Sequence, residues 1–449
     1  MTPSLRQRLL TGGSWVLAGK VVTALSTLAL NAILARTLEK QVYGLYVISF
    51  SLVTGAAMLS QLGLHSAVVR LIAESMATER QARARSAVIF TYRWVAIGVV
   101  VVSGFLVFGG GNWLAGTVWN KPALAASMGF IAAWAALQSF QVLTSETFRG
   151  FHDIRLASIF GGVITGSLSV LLLGLFALSG RPPTLSAILG LIVVSSLSSL
   201  ALGLYVLHRR VRSLASGEPL SRRTAFGIAL PLWINGLCAF GLNQADVLIL
   251  AAFRPETEVA LYGPARMLVG VVVQSMMLVT LVVPPFIAEM YARGEKRRLE
   301  RMLRLTATMA GIPAFVTLVV YIYFGEAILG LIYGDDYRTG ATVLAILSTG
   351  RMFSVFAGSA AVTLGMTGHQ KTLMRITLLS AVITVGSALL VVDRYGGVGV
   401  ATVVASGVVL QHLMNWTAAR HHTGMWTHIG LPRPAEIRSL FSRSGGTGG

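Results

Sequence analysis

The chain has 449 residues, of which 54% are hydrophobic and only 12% charged, and its mean hydropathy is +0.72. That much apolar surface exceeds what a water-soluble fold can hide, so the composition excludes a soluble enzyme and points to a polytopic, all-α membrane protein. The formal net charge of +19 would suit a nucleic-acid partner, but its basic residues sort by loop, which excludes that reading and makes the charge a topology signal.

Uncharged or nearly uncharged runs, each long enough to cross the ~30 Å hydrocarbon layer, predict twelve spans. They lie at 14–35, 43–66, 86–108, 122–144, 157–179 and 184–207, and then at 225–253, 261–288, 305–324, 339–365, 373–392 and 396–417. The first run is too long for a secretory signal, contains Lys20 and lacks a clean small-residue cleavage site, so the N-terminus is expected to be retained. The termini and alternate loops hold 25 Lys and Arg, whereas the opposite loops hold seven: Arg36, Lys40, Lys121, Arg181, Arg254, Arg338 and Arg394. Both termini are therefore expected in the cytoplasm. The single cysteine, Cys238, lies within a span and reads as a small buried residue.

A basic segment rich in loop formers, 208–224, separates two six-span lobes at 1–207 and 225–417, and a tail at 418–449 follows, of which the Gly, Ser and Pro rich stretch 429–449 is expected to be partly disordered. The lobes resemble one another. Tyr43-Gly44 corresponds to Tyr262-Gly263 at an offset of 219, and Gly150 to Gly368 at an offset of 218. With six spans apiece the lobes enter the membrane in the same sense, which makes a parallel repeat able to rock about a central cleft.

Four cations fall inside the spans, and a central Lys or Arg costs on the order of 2.5 to 3.5 kcal/mol, so each calls for a partner or a function. Arg351 lies near the middle of its span, Arg266 five residues inside the outer end, and Lys20 about 9 Å from the cytoplasmic end. Arg93 joins them as a substrate-binding candidate, although the flanking Tyr92 and Trp94 suit an interfacial snorkel. The one acid well inside a span is Asp246, expected either to neutralise Arg266 or to take part in proton or cation coupling. Gln61, His65, Gln138, Gln141, Asn235, Asn243, Gln244 and Gln274 are candidates for a polar cavity, though each alone also fits a helix–helix contact. Up to four cations against one anion predict an anionic ligand. The repeat does not preserve these charges, since Lys20 maps near Ala239, Arg266 near Val47 and Arg351 near Ala133. His421, His422 and His428 have no zinc spacing and no Walker loop occurs, so no metal or cofactor is expected, and a gradient is left as a possible drive.

The stretch ALNAILARTLEKQVYGLYVISFSLVTGAAMLSQLGLHSAVVRLIAE resembles the polysaccharide transporter family, the Wzx-type flippases of the multidrug/oligosaccharidyl-lipid/polysaccharide exporter superfamily. The matching pieces are Ala35-Arg36-x-Leu38, Tyr43-Gly44-x-Tyr46, Gly63-Leu64, Val69-Arg70 and Arg149-Gly150, with Glu39-Lys40 standing where the family has a Gly-Pro-like turn. The resemblance implies a two-lobed fold like that of the MATE exporters. It also implies movement of undecaprenyl-diphosphate-linked oligosaccharide to the outer leaflet of a bacterial inner membrane, for O-antigen, exopolysaccharide or another surface polysaccharide. Membrane lipid and other polysaccharide-assembly membrane proteins are then the implied partners. Two other functions are open to this sequence. A multidrug or cation antiporter of the same superfamily needs acids in its cavity, and a membrane-embedded glycan polymerase or ligase needs a sizeable charged outer loop.

Overall fold

The computed structural model describes residues 5–180, 184–215, 217 and 220–430, with side chains from residue 18 onward except at 278, 281, 282, 285 and 288. Arg181 and the tail at 431–449, expected to be partly disordered, lie outside the described residues. The fold is all-helical, with no strand among the described residues. The helices are α1 (Leu5–Thr37), α2 (Lys40–Gln61), α3 (Leu64–Ala77), α4 (Gln81–Phe105), α5 (Gly111–Trp113), α6 (Pro122–Ala125), α7 (Met128–Gly150), α8 (Ile154–Ser158), α9 (Ile164–Leu178) and α10 (Leu185–Arg212). They continue as α11 (Arg222–Asn243), α12 (Ala245–Phe253), α13 (Glu256–Ala292), α14 (Lys296–Tyr333), α15 (Ala341–Ala357), α16 (Ala360–Met366) and α17 (Gln370–Thr423).

Ten helical stretches among the described residues are long and apolar enough to cross a membrane, against twelve expected spans. Two features account for the difference. α17 runs through both expected spans at 373–392 and 396–417; its 54 residues rise about 80 Å, more than two bilayer cores, and Gly396 (φ 54°, ψ −145°) breaks it between them. α7 occupies the expected fourth span but carries Gln138, Ser139, Gln141, Thr144, Ser145 and Glu146, which dilute its apolar character.

Several spans are interrupted. α2 ends at Gln61 because Leu62 and Gly63 both take left-handed conformations, and a Cβ at Gly63 would lie 2.2 Å from the Ala229 carbonyl oxygen of α11. Between α8 and α9 one wide turn carries Gly162 at φ 150°, where the Thr23 methyl of α1 would stand 3.0 Å from a Cβ. Such wide turns leave backbone groups to be satisfied from elsewhere, and the Ser145 hydroxyl donates to the Ala157 carbonyl (2.7 Å).

The chain packs into two compact units, one comprising Met1–Pro264, Leu329–Thr339 and Ala388–Val400, the other Ala265–Ile328, Gly340–Ser387 and Ala401–Gly449. In the first, Leu64, Val68, Leu71 and Ile72 of α3 form a core with Leu143 and Phe148 of α7 and Ala225 and Ala229 of α11. In the second, Val283, Ile287, Leu299 and Leu303 enclose Met425. There Gly350 of α15 meets α17 so closely that a Cβ would lie 2.7 Å from Ala405 Cα.

The two Tyr-Gly motifs do equivalent work. Tyr43 and Tyr262 are both fully buried, and each donates its hydroxyl to a polar side chain on the preceding helix: Asn31 Oδ1 at 3.1 Å and Asp246 Oδ2 at 2.9 Å. The glycines bring α2 and α13 into close contact, with Gly44 against the Glu256 carbonyl and Gly263 against Val47.

Candidate functional site

Of the residues expected to bind substrate or line a cavity, Lys20, Gln61, His65, Arg93, Asn235, Asn243, Gln244 and Asp246 fall in the first unit, and Arg266, Gln274 and Arg351 in the second. Lys20 is half-buried, and its helix is set by Gly19, where a Cβ would come within 2.8 Å of Ser158 Cβ. The charge acting on it is that of Arg149 at the C-terminus of α7. Arg149 in turn donates to both oxygens of Glu146 (2.7 and 2.9 Å). Lys20, Arg149 and Glu146 thus form a charged group near the α8–α9 break.

Arg351 is half-buried on α15, one residue beyond the Gly350–Ala405 contact, and its charge acts on His412 of α17. His412 Nδ1 and, a turn later, Asn415 Oδ1 are buried without hydrogen-bond partners among the described residues. Ser348, on the helix that carries Arg351, is fully buried and its hydroxyl is likewise unmatched. Buried polar atoms are normally paired, so each of these atoms has bonding capacity left for water or another polar group. Arg266 is half-buried on α13.

Asp246 is 4% exposed and held at the start of α12 by the Tyr262 hydroxyl and the Val247 amide (2.9 Å each). Asn243 donates to the Ala239 carbonyl (2.8 Å), and at Gln244 (φ −139°) α11 breaks from α12 with Oε1 buried and unmatched. Gln61 is buried at the end of α2, and His65 Nδ1, a turn later, is buried without a partner among the described residues. Gln141 is a cross-brace, donating to Thr165 Oγ1 (2.9 Å) and the Ser196 carbonyl (3.0 Å). Gln138 is half-buried, and Asn235 and Gln274 are exposed. Arg93 is also exposed, on the face of α4 that carries exposed Ile89 and Ile97, the setting a snorkelling side chain requires.

Sequence reasoning missed the ties at the outer helix ends. Lys121, with its side chain 8% exposed, bonds Glu256 (3.3 Å) and the Arg254 carbonyl (3.0 Å), and Trp119 donates to the Leu248 carbonyl (3.3 Å). Arg254 pairs with Glu258 (2.6 Å), whose other oxygen accepts the Gly397 amide (2.6 Å) beside the α17 break. Lys40 meets Asp336 (3.1 Å), Arg338 meets Asp335 (2.7 Å), Arg36 donates to the carbonyls of Leu331 and Ile332, and Arg394 lies over the Tyr395 ring. Every described member of the outer seven cations is thus engaged. All of these contacts lie within the first unit, and they join helix ends from both sequence halves.

Comparison with known proteins agrees with this architecture. The family model described as polysaccharide biosynthesis protein matches residues 9–291, and the MatE model matches residues 231–390. Over 213 residues the chain is 22% identical to the probable low-salt glycan biosynthesis flippase Agl15 of Haloferax volcanii; the match covers 46% of this chain and 43% of that protein, less than half of either. An inward-facing multidrug resistance MATE family transporter of the MOP superfamily superposes with a TM-score of 0.75 at 15% identity, over 90% of this chain and 94% of that one. The lipid II flippase MurJ in an inward closed conformation gives 0.65 at 12% identity, over 90% and 87%. A Pyrococcus furiosus MOP superfamily transporter, described as having a binding pocket of reversed polarity, gives 0.61 at 14% identity, over 93% and 95%. The chain belongs to the polysaccharide biosynthesis protein family.

Proposed function

We propose that this multi-pass membrane protein is a flippase that carries a polyprenyl-diphosphate-linked oligosaccharide from the cytoplasmic to the outer leaflet of a bacterial inner membrane, for surface polysaccharide biosynthesis. The observation that carries the reading is the sign of the intramembrane charge. Four cations, Lys20, Arg93, Arg266 and Arg351, lie within the expected spans against one acid well inside a span, Asp246. A sugar hydroxyl stripped of water costs roughly 4 to 8 kcal/mol on the cyclohexane scale, so a glycan needs a polar route and its diphosphate needs cations. The similarity to Agl15, a probable glycan biosynthesis flippase, and to MurJ, a lipid II flippase, supports this cargo class.

In this reading the lobes 1–207 and 225–417, joined by the basic linker 208–224, rock with both termini in the cytoplasm, and the diphosphate is bound while the polyprenyl tail stays in lipid. On this proposal the ties at Lys121, Arg254 and Lys40 hold the outer side shut and part for release. Asp246 and Tyr262 are the proposed coupling pair. No step requires bond-making chemistry, which makes the protein a transporter rather than an enzyme.

Reconstituted into vesicles with a labelled lipid-linked oligosaccharide, the Lys20→Ala and Arg351→Ala proteins are expected to flip at least about tenfold more slowly, from loss of a charge-assisted bond worth about 1.5–3 kcal/mol. Unchanged flipping in both rejects the cation assignment. The MATE likeness keeps a cation antiporter as the second reading; extrusion of a cationic dye that is lost in Asp246→Asn and spared in Arg351→Ala would replace the flippase.

A further inference from the structure

The segment after α17, Gly424 to Gly430, is a strap folded back onto the second unit. α15 stops because Gly358 takes φ 68° and ψ −148°, where a Cβ would lie 2.1 Å from the Thr427 carbonyl oxygen. That break frees the carbonyls of Phe356 and Ala357, and the strap supplies the missing donors: the Ile429 amide to Phe356 (3.0 Å) and the Thr427 hydroxyl to Ala357 (2.8 Å). Met425 and Thr427 are fully buried. At the far end, the Gly430 amide donates to the Thr308 hydroxyl (3.2 Å), which also reaches the Gly430 carbonyl (2.9 Å).

One turn before Thr308 on α14, Arg304 lies flat against this strap. A Cβ at Gly430 would stand 2.2 to 2.6 Å from its Nη2, Nε and Cζ, so a side chain there would displace the guanidinium from this position. Its Nε is buried with no hydrogen-bond partner among the described residues. Its charge acts on His428, as does that of Glu300. The His428 ring is fixed by the Trp416 indole, which donates to Nδ1 (3.2 Å), and it stands 5.3 Å from Trp426 and 6.0 Å from Phe356. Arg420 covers Trp426 at 4.8 Å and donates to the Gly424 carbonyl. Tryptophan beside cations marks headgroup depth, and the loop charges assign this end to the cytoplasmic leaflet, whose lipids are anionic.

A half-buried guanidinium with an unmatched Nε carries a desolvation cost that an anion removes. We propose that Arg304, with His428 of the strap, binds a phosphate anion, and that its source is the headgroup of an anionic phospholipid in the cytoplasmic leaflet. The site differs in place and purpose from the transport cations, since its ligand stays bound as a lipid cofactor of the fold.

The test is native mass spectrometry of the delipidated full chain, titrated separately with phosphatidylglycerol, phosphatidylcholine and inorganic phosphate. The wild-type chain is expected to retain one phosphatidylglycerol at least about tenfold more tightly than phosphatidylcholine, and both Arg304→Gln and Gly430→Ala are expected to lose that preference. Inorganic phosphate that binds wild type as tightly, and Arg304→Gln weakly, identifies a free ion as the source. Should Arg304→Gln fail to remain monodisperse, Arg304→Lys keeps the charge, loses the planar fork and is expected to bind several-fold more weakly. Equal binding of all probes by wild type and the variants overturns the site. The readout needs no transport, so it stands or falls independently of the flippase reading.

Discussion

At the residue scale, what decides a charge's role is how far away its partner sits. Lys121 has its carboxylate and carbonyl partners 135 and 133 residues away, so no local pattern reveals that it is buried and paired. Removing one side of a buried ion pair costs about 3–5 kcal/mol, and less here because the Glu256 side chain is 26% exposed. Lys121→Met is therefore expected to weaken the outer closure. In a Cys238→Ala background with Ala260→Cys, a fully buried position one turn past Glu256, labelling by an impermeant maleimide from outside should rise several-fold, and Lys121→Arg should restore protection. Unchanged labelling would show that the contact does not hold this end shut. The intramembrane cations were legible for the opposite reason, since any Lys or Arg in an apolar run stands out whatever it touches. Arg149 was passed over because the loop charge count absorbed it; its spacing of three from Glu146 was the available signal.

At the element scale, glycines set which helices touch. A methyl group at Gly44 would fall 2.0 Å from the Glu256 carbonyl oxygen, and backbone cannot yield as a side chain can. Gly44→Ala should cost several kcal/mol and appear as a large fall in detergent melting temperature, whereas Gly174→Ala, with open space around its Cβ position, should leave melting unchanged or raised. A small shift at Gly44 would mean that α2 and α13 do not pack as described. The repeated Tyr-Gly pair was visible in the sequence, but its purpose was not. Only the fold reveals that both tyrosines reach back to the preceding helix, to an amide in one half and a carboxylate in the other.

At the scale of the whole molecule, the charge balance predicts an orientation with both termini in the cytoplasm. A reporter active only in the cytoplasm, fused after Gly449, is expected to be active, and one active only outside to be silent; the converse would invert the topology and move the Arg304 site to the other leaflet. Each described cation of the loops expected outside is engaged by a carboxylate, a carbonyl or a ring.

The sequence by itself determined the membrane environment, the all-helical class and the approximate course of the spans. Each follows from composition and local periodicity, because hydrocarbon penalises any uncovered polar group wherever the chain goes. Tertiary structure alone decided where the spans break, that Asp246 is held by Tyr262, that the outer ends are tied by Lys121 and Arg254, and that the strap lays Gly430 against Arg304. Those outcomes depend on close approach between residues scores to hundreds of positions apart, which hydropathy along a single chain does not encode.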